Sequence, residues 1–131
     1  MERRSILLLL TIAGYICAIA MSLLPGSVVH AMGLSPPWVA YSHFIEFTIL
    51  GGLTYLTFRS YRSNAPVVNT ILLVLSASLI TETAQLWVPG RTADLMDVSV
   101  NLLSGTGSAL IAGMLSRPVD SPGSLGGGES A

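Results

Sequence analysis

Eight polar side chains, His43, Glu46, Glu82, Gln85, Arg91, Asp94, Asp97 and Asn101, stand in or beside strongly apolar sequence. Their spacing is helical. His43/Glu46 and Glu82/Gln85 are i,i+3 pairs and Asp97/Asn101 is i,i+4, with Ser104 continuing the line, so each pair shares one helix face. A carboxylate set in apolar surroundings beside an imidazole can serve as general acid or base, which makes Glu82 and His43 the candidate catalytic pair. The guanidinium of Arg91 offers a planar fork of donors for phosphate or carboxylate. His43-x-x-Glu46 with Glu82 and Asp97 has the ligand chemistry of a divalent-cation site. As a metal spacing H-x-x-E is weak, so no metal and no cofactor is assigned. There is no Gly-rich phosphate loop, G-x-S-x-G, C-x-x-C or H-E-x-x-H. Taken together, the eight residues suit an anionic, amphiphilic ligand.

Each residue also has a plainer role. Asp94 or Asp97 can cap a helix, where a carboxylate meets unsatisfied N–H groups and the positive end of the dipole. Arg91 can anchor to lipid phosphate. Gln85 and Asn101 can join helices by hydrogen bonds, typically worth about 0.6 kcal/mol. Glu82 and His43 can form a buried ion pair with Arg91 or with each other.

The elements that carry these residues follow from composition. Of 131 residues, 51% are hydrophobic and 10% charged, with mean hydropathy +0.69. Soluble domains carry about 25% charged residues, so a soluble enzyme and a disordered regulator are excluded. Six Arg and no Lys against seven acids leave a net charge of −1, which excludes a nucleic-acid partner. The lone Cys17 excludes an internal disulfide. What remains is an all-α membrane protein.

Four apolar stretches, approximately Ser5–Leu24, Trp38–Phe58, Val67–Trp87 and Asp97–Leu115, each match the roughly 20 residues that cross a bilayer as helix. Pro25-Gly26, Pro36-Pro37, Asn64-Ala65-Pro66 and Pro89-Gly90 punctuate them. A four-helix transmembrane domain is therefore expected over residues 1–116. A disordered Gly/Ser-rich tail is expected over residues 117–131. Arg3, Arg4, Arg59, Arg62 and Arg117 alternate onto one side and Arg91 alone lies on the other, which predicts an N-in, C-in bundle. Trp38 and Trp87 then mark the outer interface, and all eight polar residues fall in the outer half. Met1–Ala20 also imitates a secretory signal peptide, but Met21–Leu24 extend the apolar run to a full span, which favours a retained helix. Small-residue ridges, Gly14/Ala18/Ser22 and Gly105/Ala109/Gly113, together with Gly51-Gly52, suit close helix packing. Cys17 reads as a small apolar packer and His30 as a loop residue without a partner.

The run Glu82-x-x-Gln85-x3-Pro89-Gly90-Arg91-x2-Asp94-x2-Asp97-x3-Asn101 closely resembles the VanZ-like family of small bacterial membrane proteins. His43-Phe44-Ile45-Glu46-Phe47 with Leu50-Gly51 resembles an earlier motif of that family. The resemblance covers about Trp38 to Gly113. Two positions depart from it: Val39-Ala40 stand where Asp-Lys is frequent, and Ser104 where Gly is common. The family includes a protein that confers teicoplanin resistance, and other members accompany envelope and polysaccharide genes. The resemblance implies a multi-pass protein of the bacterial cytoplasmic membrane, with His43, Glu46, Glu82, Gln85, Arg91, Asp97 and Asn101 at its site. Three functions stay open. The first is binding a lipid-linked envelope precursor or a glycopeptide antibiotic, with low-level resistance as a consequence. The second is an enzyme acting on an envelope lipid or polysaccharide. The third is an assembly subunit whose polar stripe contacts membrane-protein partners.

Overall fold

The computed structural model describes residues 2–34 and 36–116. Five helices follow one another: α1 (Arg3–Ser22), α2 (Gly26–Ala31), α3 (Pro36–Ser60), α4 (Pro66–Gln85) and α5 (Leu95–Leu115). Their ends have local causes. Pro66 opens α4 at a position whose missing N–H bonds nothing in any case. Asp94 caps α5, its Oδ1 accepting from the Met96 N–H at 2.8 Å. Between α4 and α5, Gly90 turns the chain at φ +73°, a conformation glycine adopts without penalty.

α1, α4 and α5 are long and apolar enough to cross a membrane. At 20 to 21 residues and 1.5 Å per residue they reach about 30 Å, the hydrocarbon thickness. The expected Trp38–Phe58 span falls within α3, which is longer at 25 residues but carries His43, Glu46 and several hydroxyls that dilute its apolar character. Large apolar side chains cover the outside: Leu9, Ile16, Ile80, Leu103 and Ile111 are all exposed. A patch of that extent suits a lipid solvent, not water. The molecule is an all-helical membrane protein among its described residues, and the tail expected over 117–131 lies outside them.

α3 is the hub, packing on α1, α4 and α5, while α5 lies against α3 and α4. Small residues let the backbones meet. A Cβ on Gly51 would strike the Gly105 backbone, and one on Gly105 would sit 2.9 Å from Val74. Phe47, Val74 and Ala77 form the apolar centre over this crossing. The ridge residues Ala18, Ser22 and Ala109 are buried, as expected. Hydroxyl pairs tie α1 to α3, Thr11 to Thr57 at 2.9 Å and Tyr15 to Thr54 at 3.1 Å.

Two expectations are corrected. Cys17 is exposed on α1 and packs against nothing in the bundle interior. The first loop contains a helix, α2, too short to show a hydrophobic period, and His30 lies in its last turn. α2 is pinned to the α4–α5 connection: the Gly26 N–H donates to the Pro89 carbonyl at 3.0 Å, so close that a Cβ on Gly26 would strike the Gly90 carbonyl.

Candidate functional site

The arginines divide by end of the bundle. Arg3, Arg4 and Arg59 border one cleft with Ser116, and Arg59 donates to the Ser116 carbonyl. Arg91 belongs to the other end, on the segment joining α4 to α5. That segment is held by the turn bond from the Arg91 N–H to the Val88 carbonyl at 3.1 Å and by the clamp to α2.

Around Arg91 the expected polar residues converge. His43 projects from α3, Glu82 and Gln85 from the last turn of α4, and Asp97 and Asn101 from the first turns of α5. His43 is 5% exposed, Glu82 4%, Gln85 1% and Asn101 0%. Arg91, Asp97 and Glu46 are half-buried, and Asp94 is exposed. One ligand-type atom from each of His43, Glu82 and Asp97 lies within 4.8 Å of the other two.

Hydrogen bonding separates structural roles from the rest. Glu82 Oε2 accepts from the Asp94 N–H at 3.0 Å, joining the end of α4 to the start of α5. Asn101 Nδ2 donates to Ser78 Oγ at 2.9 Å, so Asn101 does bridge α4 and α5. Asp94 is the helix cap that its position allowed. The ion pair is not there: Arg4–Glu2 is the only one among the described residues, and Arg91, Glu82 and His43 have none.

Instead, buried polar atoms remain unpaired. Among the described residues these are His43 Nδ1, Glu82 Oε1, Gln85 Nε2, Arg91 Nε and Asn101 Oδ1. All five belong to the eight residues singled out in the sequence. Each buried orphan costs about 1–3 kcal/mol, and native folds satisfy such groups in the great majority of cases. A cluster of them at one end, and nowhere else among the described residues, is a cost the fold carries without return from its own packing.

Two cavities meet at Arg91. A small one of about 40 Å³ lies between Arg91, His43, Glu46 and the end of α1. A larger one of about 370 Å³ is lined by Arg91, Gln85, Asp94, Asp97, Gly26 and His30. Glu46 thus borders the site without joining the His43/Glu82/Asp97 cluster. Spacing arguments missed His30 and Gly26, which α2 brings in, and Ser78, the partner of Asn101. The Pro25-Gly26 pair marked only a turn, and a lone Ser in an apolar helix gives no signal.

The sequence profile of the VanZ/LLP1 family matches residues 9–116. The chain belongs to the VanZ/LLP1 family. The match takes in all eight polar positions and every helix from within α1 onward, so the VanZ/LLP1 region and the described bundle nearly coincide. No curated protein and no solved structure matches the chain.

Proposed function

We propose that this VanZ/LLP1 protein is a multi-pass protein of the bacterial cytoplasmic membrane that binds the anionic headgroup of a lipid-linked envelope precursor in its outer polar cavity. The observation that carries the reading is the set of unpaired buried polar atoms at this end of the bundle, among them Arg91 Nε and Gln85 Nε2 of residues that line the larger cavity and His43 Nδ1 beside the smaller one. Donors and acceptors held ready without partners are what a pre-formed site offers a ligand. Arg91 supplies the charge and fork geometry for a phosphate, and Gln85 adds donors beside it. The volume of about 370 Å³ suits a phosphorylated headgroup and is far too small for a whole glycopeptide antibiotic. Resistance to a glycopeptide then follows indirectly, through the precursor that the drug recognises.

In this reading α3 crosses with α1, α4 and α5 as a fourth span, its polar residues turned toward the bundle where the membrane does not meet them. The N-terminus and the arginine-bordered cleft face the cytoplasm, and Trp38 and Trp87, both exposed, sit at the outer interface. The domain is residues 1–116. A second reading, an enzyme on an envelope lipid or polysaccharide, draws on the closeness of His43 to Glu82, with Glu82 as acid or base.

The test is binding of a polyprenyl monophosphate to the protein in nanodiscs of neutral lipid, followed by native mass spectrometry. Arg91→Ala is expected to weaken binding at least tenfold, and Glu82→Gln to leave it within a few-fold. Equal binding by wild type and Arg91→Ala contradicts the proposal. Retained binding by Glu82→Gln with loss of the cellular resistance phenotype selects the enzyme.

A further inference from the structure

We propose that His43, Glu82 and Asp97 form a divalent-metal site that holds Zn2+ through one imidazole nitrogen and two carboxylates, with its open position facing the cavity beside Arg91. Three helices each supply one ligand: α3, α4 and α5. Their ligand atoms gather within 4.8 Å. Zn2+ bound at about 2.0–2.1 Å to nitrogen and oxygen sets tetrahedral ligands about 3.4 Å apart, so side-chain rotations of about an ångström complete the site.

Two independent features support metal over a bare acidic cluster. His43 and Glu82 are each more than nine-tenths buried, and His43 Nδ1 and Glu82 Oε1 have no hydrogen-bond partner. Among the described residues neither pairs with a cation, although Glu82 shares its surroundings with a second carboxylate. A dication relieves that repulsion and uses the free carboxylate oxygen. The neighbours also orient the ligands. The Asp94 N–H holds Glu82 Oε2 at 3.0 Å and leaves Oε1 free, while the Asp94 cap fixes the turn of α5 that carries Asp97. Outer contacts of this kind are what set the direction of metal ligands.

Three protein ligands and one open position are the pattern of a zinc ion that takes an exchangeable fourth group. Asp97 and Arg91 both line the larger cavity, so that group is a water or a phosphate oxygen that Arg91 reaches at the same time. The identity of the fourth group rests on the headgroup proposal above; the metal site itself does not.

The experiment uses the full chain, free of any affinity tag, in detergent without added lipid. Zn2+ is titrated by calorimetry, with metal content measured after dialysis. One Zn2+ per chain is expected. Asp97→Asn and His43→Gln are each expected to weaken it at least tenfold, while Cys17→Ser, on the exposed face of α1, leaves it unchanged. Because Asp97 is only half-buried, Asp97→Asn is expected to keep the metal-free melting temperature of the wild type and to lose the rise that Zn2+ gives. Absence of a saturable site overturns the proposal, as does a site that survives Asp97→Asn at wild-type affinity. Since no polyprenyl phosphate is present, a failure here leaves the headgroup proposal standing, and the reverse also holds.

Discussion

Asp94 shows how one residue can serve the fold and the site through different atoms. Its side chain caps α5, and its backbone N–H orients Glu82. Removal of a capping carboxylate costs about 1 kcal/mol, so Asp94→Ala is expected to lower unfolding free energy by about that amount in an SDS titration. Asp94→Asn keeps a good cap and is expected to match the wild type in both stability and headgroup binding. If Asp94→Asn unfolds as early as Asp94→Ala, the cap is not what the carboxylate contributes. The spacing of apolar and polar residues made the whole cluster legible, because in a membrane span apolar residues are the default and each exception is informative. Spacing did not reveal which exceptions have partners. Asn101 and Gln85 look alike in sequence, yet Asn101 finds Ser78 and the Gln85 amide nitrogen finds nothing.

At the scale of helices, the site depends on how closely α3 and α5 approach. Gly51 and Gly105 meet backbone to backbone, with Val74 of α4 filling the third side. Gly105→Val therefore forces the helices apart, and overpacking of this kind costs about 1–3 kcal/mol. It is expected to weaken headgroup binding too, since His43 and Asp97 ride on the two displaced helices. Gly107 meets nothing within 4 Å. Gly107→Ala is expected to be neutral or stabilising by up to about 1 kcal/mol. Equal loss from both changes, read by the same SDS titration, contradicts the packing account. The apolar stretches and the Pro and Gly breaks placed the long helices within a few residues, because a membrane crossing and a turn each demand particular residue types. α2 was not legible. Its six residues are too few for a period, and its place is set by the remote contact of Gly26 with the Pro89-Gly90 turn.

For the whole molecule, the proposed N-in, C-in topology rests on the distribution of arginine. In a Cys17→Ser background, a membrane-impermeant maleimide applied to intact cells or spheroplasts is expected to label Thr92→Cys and to spare Asn64→Cys until the membrane is opened. The opposite pattern inverts the topology. Composition alone revealed the all-helical membrane class, since a chain with 10% charged residues cannot present a soluble surface. Three helices carry the hydropathy of a crossing, and α3, expected as the fourth, falls short of it because His43, Glu46 and its hydroxyls dilute its apolar run. The central claim is that side chains from separate helices act as one site on one ligand. A double-mutant cycle on Arg91→Ala and Gln85→Ala, two residues that line the larger cavity, tests it most directly when read as polyprenyl monophosphate affinity in nanodiscs. Groups acting on a shared ligand couple by about 0.5 kcal/mol or more, and independent ones add to within about 0.3–0.5 kcal/mol. The account predicts coupling of about 1 kcal/mol; simple additivity of the two losses contradicts it.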